Sequence, residues 1–101
     1  MRLYETMLII DPSLDSEAVG KVISKFENLI KQYNGTVEKV DKWGKRRLAY
    51  PIKGHSDGVY TVLYFRADTD LVRELDRILR ISDEILRYHI FLREIARAPL
   101  S

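Results

Sequence analysis

From Leu3 to Ile10 the chain carries two interleaved sets of residues, Tyr4/Thr6/Leu8/Ile10 and Leu3/Glu5/Met7/Ile9, in an apolar run that stops at Asp11-Pro12. Alternation with both sets largely apolar predicts a central strand. Past Pro12-Ser13 the period changes: Val19, Val22, Ile23, Phe26, Ile30 and Tyr33 recur at three- and four-residue spacing, which predicts a helix capped by Ser13 or Asp15. Asn34-Gly35 supplies the left-handed residue that ends it. Strand character resumes at Thr36–Val40 and again over Arg47–Ile52, where Leu48, Tyr50 and Ile52 share one face. Gly44 between the two stretches predicts a bulge or bend. Pro51 has no amide hydrogen to donate, so this second strand belongs at a sheet edge.

Gly54-His55-Ser56-Asp57-Gly58 reads as a turn cluster that joins the second strand to a third, Val59–Arg66, in a hairpin. A second helix follows Asp68-Thr69-Asp70, with Leu71, Val72, Leu75, Ile78 and Leu79 as its apolar stripe. Ser82-Asp83-Glu84 breaks that helix. A fourth strand, Ile85–Leu92, then sets Leu86, Tyr88, Ile90 and Leu92 against Arg87, His89, Phe91 and Arg93. The order is βαββαβ. Right-handed crossovers turn it into an α+β ferredoxin-like sandwich, a four-stranded antiparallel sheet with two helices on one face and the first and third strands central. The domain spans 1–93, and 94–101, which contains Pro99, is expected to be a short extended tail.

Composition narrows the possible functions. At 101 residues, 46% hydrophobic and 32% charged, the chain suffices for one core and is too charged throughout for a membrane span. Glu5 falls early and no small-residue cleavage site follows the first apolar stretch, so the start does not read as a secretory signal and the mature protein is expected to begin here. The absence of cysteine excludes disulfides, thiolate metal sites and cysteine nucleophiles, and makes the cytoplasm the default compartment. The net charge of +2 separates nothing by itself.

Catalysis finds little support. His55 falls in a turn and His89 in the last strand, and no His/Asp/Glu group has metal-ligand spacing. The glycines match neither a P-loop nor a dinucleotide fingerprint. Asp68/Asp70 and Asp83/Glu84 sit where a helix starts or a turn forms, so capping and turn making account for them. No cofactor or small-molecule substrate is expected.

The stretch from Asp41 to Lys53 stands apart: Lys42, Lys45, Arg46, Arg47 and Lys53 are interleaved with Trp43 and Tyr50 along the expected edge. Such a composition suits phosphate contact with stacking nearby. Charge on an edge strand is also the usual guard against edge-to-edge pairing, and on this fragment alone the two readings balance. On the fourth strand Arg87, His89, Phe91 and Arg93 are expected to share the face away from the helices with Leu3, Met7 and Ile9, an apolar and basic surface suited to docking protein or RNA. An ordinary solvated sheet face would tolerate the same residues.

Gly44-Lys45-Arg46-Arg47-Leu48-Ala49-Tyr50-Pro51-Ile52-Lys53 resembles, position for position, the most specific motif of the family of the sixth protein of the bacterial small ribosomal subunit, ribosomal protein S-six. Arg2-Leu3-Tyr4-Glu5, Tyr33-Asn34-Gly35, Leu79-Arg80-Ile81 and Ile85-Leu86-Arg87 extend the resemblance from Met1 to about Arg93. The resemblance implies the same four-stranded, two-helix sandwich and a non-catalytic role: binding the central domain of small-subunit ribosomal RNA as a pair with ribosomal protein S-eighteen. Carried over residue by residue, it makes Arg2, Tyr4, Arg46, Arg47, Tyr50, Lys53, Arg80, Arg87 and Arg93 the candidates for the RNA and partner surface. Tyr50 is ambiguous among them, because alternation also allows it a place in the core with Leu48 and Ile52.

Two features depart from the family and from better-known RNA binders. The tail after Arg93 lacks the acidic extension that some members carry. Val59–Phe65 lacks the basic start and aromatic spacing of an RNA recognition motif, so base stacking on the sheet in that manner is not expected. Two other readings share the fold. A paired ligand-binding module would hold a small molecule between sheet edges. An acylphosphatase-like enzyme needs an arginine in the loop after the first strand, where Asp11-Pro12-Ser13 supplies none.

Overall fold

The computed structural model describes residues 1–93; the tail assigned to 94–101 lies outside the described residues. The elements are β1 (Arg2–Ile10), α1 (Ser16–Gln32), β2 (Thr36–Ile52), β3 (His55–Ala67), α2 (Thr69–Ile81) and β4 (Ile85–Leu92). All pairings are antiparallel and the strand order is β2-β3-β1-β4, so β1 and β3 are central and β2, with Pro51, is an edge. The βαββαβ sandwich is the one that patterning predicts. No described helix is long and apolar enough to cross a membrane.

One core lies between sheet and helices. Tyr4, Leu8 and Ile10 of β1 and Leu63, Phe65 and Ala67 of β3 meet Val22, Ile23, Phe26 and Ile30 of α1 and Leu71, Leu75 and Leu79 of α2. Each of the Val, Leu, Ile and Phe side chains among them contributes roughly 1.5–3 kcal/mol when taken fully out of water. Tyr33 is not part of the helical stripe: it is the C-cap residue of α1 and is exposed. Asp15 is the N-cap, its carboxylate accepting from the Ala18 amide at 2.8 Å. Asn34, not Gly35, takes the left-handed conformation that ends the helix, with φ of 63°. Asp68 occupies the N-cap position of α2 without a side-chain cap bond, so its expected capping role reduces to backbone geometry.

The β2–β3 hairpin differs most from expectation. Its turn is Lys53-Gly54, with φ of 50° and 83°, and Ile52 pairs directly with His55. Two consecutive positive φ values match the tight turns whose twist suits a hairpin. The presumed turn cluster His55–Gly58 is therefore strand, and the hairpin runs well past Val59, the last β3 residue paired with β1. The overhanging part, about residues 46–58, forms an arm.

The arm leans over the sheet face that the helices leave uncovered. Leu48 of the arm packs with Ile9 of β1 and Leu86 of β4 in a second, smaller cluster, flanked by Ile52 and Tyr60. Leu86 reaches that side because the β1–β4 register slips between Ile9 and Ile10, which puts Leu86 on the opposite face from Tyr88 and Ile90. This corrects the simple alternation expected of β4. Gly58 permits the close approach: a Cβ there would lie 2.3 Å from Ile9 Cγ2. At the same end of the sheet, Asp11 accepts from the Ser13 amide at 2.8 Å and lies 3.6 Å from His55 Nε2 on the arm.

Gly58→Ala is expected to destabilise the protein by about 1–3 kcal/mol, the usual cost of overpacking, as a lower urea midpoint. In the Ile9→Ala background the same change is expected to cost less, since the clashing Cγ2 is gone. The Ser13 amide, then its hydroxyl, holds the Asp11 carboxyl below the usual carboxylate range. A depressed folded-state pKa gives stability that is full at neutral pH and is lost as pH falls through the lowered value. Urea midpoints taken from pH 6 downward are expected to decline less steeply in acid for Asp11→Asn than for the parent chain.

Candidate RNA and protein interface

The uncovered face can be followed as rows across the strands. One row runs Lys39, Tyr64, Glu5, Phe91; the next Asp41, Val62, Met7, His89; a third reaches Tyr60, Ile9 and Arg87 from the Gly44 bulge. Strand pairing thus brings residues far apart in sequence into one surface, largely apolar and aromatic, with Glu5 on a central strand and Lys39, Asp41 and Arg87 toward its edges. His89 stacks on Phe91 with centroids 5.7 Å apart, and Lys39 lies over the Tyr64 ring.

The arm joins the two edges of this surface. Tyr50, 54% exposed, sits beside Arg87 of β4, whose guanidinium donates to the Tyr50 hydroxyl at 2.7 Å and lies over its ring. Lys53 Nζ donates to the Ile85 carbonyl at 3.3 Å. β2 and β4 are opposite edges of the sheet, so only the lean of the arm makes these contacts possible. A net hydrogen bond contributes about 0.5–1.5 kcal/mol, less than burial of Leu48, Ile9 and Leu86 together. The apolar cluster holds the arm, and the Arg87–Tyr50 pair orients its tip. Tyr50 is on the surface, not in the core.

Three of the nine sequence candidates stand apart from this surface. Tyr4 lies in the helix-side core, 7% exposed and stacked on Phe65, because β1 alternation points it toward α1 and α2. Arg80 is on α2, paired with Asp76, which also accepts from the Tyr88 hydroxyl at 2.6 Å. Burial pushes the Tyr88 hydroxyl above its ordinary pKa, and the Arg80 guanidinium is raised by the Tyr88 hydroxyl and then by the Asp76 charge. Arg80 thus serves a helix-side charge network. Arg2, exposed at the start of β1, shares the parity of Tyr4 and pairs with the core residue Ala67, which puts it on the helix side, whereas Arg93 follows β4 and pairs with Glu5.

Arg46 and Arg47 are exposed on the arm and, among the described residues, neither is in an ion pair. They contrast with Arg66, Arg77, Arg80 and Arg93, each matched to a carboxylate. Arg46 lies over Trp43, 5.3 Å from guanidinium carbon to ring centroid, and Trp43 stacks on Tyr60 with planes 7° apart. Sequence reasoning left Tyr60 and Tyr64 out of the candidate surface. Their alternation with the core residues Leu63 and Phe65 was the signal that placed them on the open face.

The protein can be compared with known ones on this geometry. The family described as Ribosomal protein S6 matches residues 3–91. The small ribosomal subunit protein bS6 of Clostridium botulinum is 48% identical over 94 residues, covering 93% of this chain and all of that one. The same protein of Clostridium novyi is 48% identical over 90 residues, covering 89% and 95%. Among solved structures, 30S ribosomal protein S6 from Thermotoga maritima superposes with a TM-score of 0.86 at 36% identity, covering 91% of this chain and 87% of that one. The C-terminal domain of MgtC from Mycobacterium tuberculosis superposes at 0.64 with 15% identity, covering 98% and 95%, and shares the fold alone. With the family's match running through both the arm and the sheet that carries it, the chain belongs to the ribosomal protein S6 family and is a non-enzymatic component of the small ribosomal subunit.

Proposed function

We propose that the chain binds the central domain of small-subunit ribosomal RNA as a pair with ribosomal protein S-eighteen, through the arm and the uncovered sheet face. The observation that carries this reading is the lean of the arm, which brings Tyr50 to Arg87 and Lys53 to the Ile85 carbonyl and leaves Arg46 and Arg47 exposed without an ion pair among the described residues. A phosphate backbone answers to such cations, and arginine answers best, because its planar guanidinium bonds phosphate bidentately and stacks on bases. The sheet centre, with Met7, Tyr64, His89 and Phe91, offers a protein partner apolar and aromatic contact. Few cations are aligned, so affinity for RNA alone is weak and salt-sensitive, and a partner that adds contacts to the same complex makes it tight. Arg46, Arg47, Tyr50, Lys53, Arg87 and Arg93 form the proposed surface; Tyr4 acts from the core, and Arg2 and Arg80 lie on the helix side.

A gel-shift titration of a central-domain ribosomal RNA fragment, with and without S-eighteen, tests this. Tight binding is expected only with the partner present. Arg46→Ala/Arg47→Ala is expected to weaken it about tenfold or more and to lower the salt dependence by roughly two phosphate contacts. Equal affinity with and without S-eighteen would remove the cooperative reading.

A further inference from the structure

Thr61 of β3 is 1% exposed, and its hydroxyl has no hydrogen-bond partner among the described residues. Buried hydroxyls are normally paired, so an orphan one needs an explanation. Thr61 lines a groove of about 330 Å³ between α1 and the edge strand β2, on the helix side of the sheet. Register accounts for the charge on this groove. Thr61 pairs with Lys42 and Val59 with Lys45, so the two lysines share the face of Thr61 and Val59. Positions 42 and 45 of a regular strand point to opposite faces. The slip at Gly44, with φ of 88°, brings both to one side. Among the described residues neither lysine is in an ion pair, and no carboxylate lines the groove.

The other wall comes from α1, where Ser16, Val19, Gly20 and Ile23 make one stripe along the groove. Gly20 is the odd member, because glycine in a helix interior is a poor choice against alanine. Its surroundings do not require it: a Cβ at Gly20 would meet nothing within 4 Å, whereas one at Gly35 or Gly58 would collide. The space beside Gly20 is open to the groove. One half of the groove is therefore apolar, from Leu14, Val19 and Ile23, and the other offers a hydroxyl and two ammonium groups, from Thr61, Lys42 and Lys45. A phosphate would answer the lysines and waste the apolar wall; a neutral apolar group would leave the lysines and Thr61 unanswered. From this complementarity we infer that the groove binds a small aliphatic carboxylate, with its chain along α1 and its charge at Lys42, Lys45 and the Thr61 hydroxyl. The volume holds roughly ten non-hydrogen atoms, about the size of an eight-carbon acid. The inference is independent of the proposed RNA-binding function, which uses the arm and the other face of the sheet.

The test titrates the full chain with octanoate, octanol and octylammonium and follows backbone amide shifts by NMR. Octanoate is expected to bind at about 1 mM or tighter, a modest affinity suited to a ligand of this size, and to move the amides of residues 19–23, 42–45 and 59–61. Octanol and octylammonium are expected to bind about fivefold more weakly or worse, having no charge to offer the lysines or the wrong one. Gly20→Met puts a better helix former into the open space, and is expected to abolish the octanoate shifts while raising the urea midpoint. Thr61→Val is expected to weaken octanoate about threefold or more without lowering the urea midpoint, since the hydroxyl it removes has no partner among the described residues. Equal affinity for the three compounds would overturn the carboxylate site and leave a merely apolar groove. Octanoate shifts that survive Gly20→Met unchanged would overturn it as well, and so would still amides at about 10 mM octanoate. Movement of these amides on adding S-eighteen, with none on adding octanoate, would give the groove to a protein partner instead.

Discussion

The surface depends on a contact that requires the absence of an atom. With no Cβ at Gly58, β3 can pass against Ile9 and the hairpin arm can lie down on the sheet. If the arm stood upright, Leu48 would lose Ile9 and Leu86, Tyr50 would lose Arg87, and Lys53 would lose the Ile85 carbonyl. The large core between helices and sheet would survive without it, since none of its members belongs to the arm. The helix-side core and the set of the arm therefore rest on different contacts in this small domain. The first comes from one broad apolar layer, the second from three aliphatic side chains and a glycine.

Much of the architecture was legible in the chain because it follows from period. Leu71, Leu75 and Leu79 could face only one way on a helix, and Pro51 could sit only at an edge. What escaped was whatever depends on register. The slip between Ile9 and Ile10 moves Leu86 to the other face, and nothing in Ile85-Leu86-Arg87 announces it. Gly54 to Gly58 is rich in turn-forming residues, yet Lys53-Gly54 alone makes the turn and the remainder extends the strand. Tyr4 carried the family resemblance without being a surface residue, since resemblance marks positions and not the direction in which they point. Tyr50 was undecided on alternation and is settled by tertiary contact with a strand 37 residues away.

The comparisons separate architecture from role. The MgtC domain shares the sandwich at 15% identity, and the Thermotoga maritima protein shares it at 36% with a much closer superposition. A two-layer frame of this type accepts many functions. The family match runs through strands and helices alike, over residues 3–91.

The distribution of ion pairs along the molecule has one further consequence. Arg66 is matched by Glu38 and Arg93 by Glu5, while Arg46 and Arg47, past the last β1–β3 pair, have no ion-pair partner among the described residues. Lys42, Lys45, Arg46 and Arg47 fall within six consecutive positions of β2, and none of them is in an ion pair among the described residues, so a formal net charge of +2 understates the positive field around this part of the molecule. At physiological ionic strength that field fades over roughly 8 Å, so the concentration of charge is felt close to the strand and hardly at all across the width of the domain.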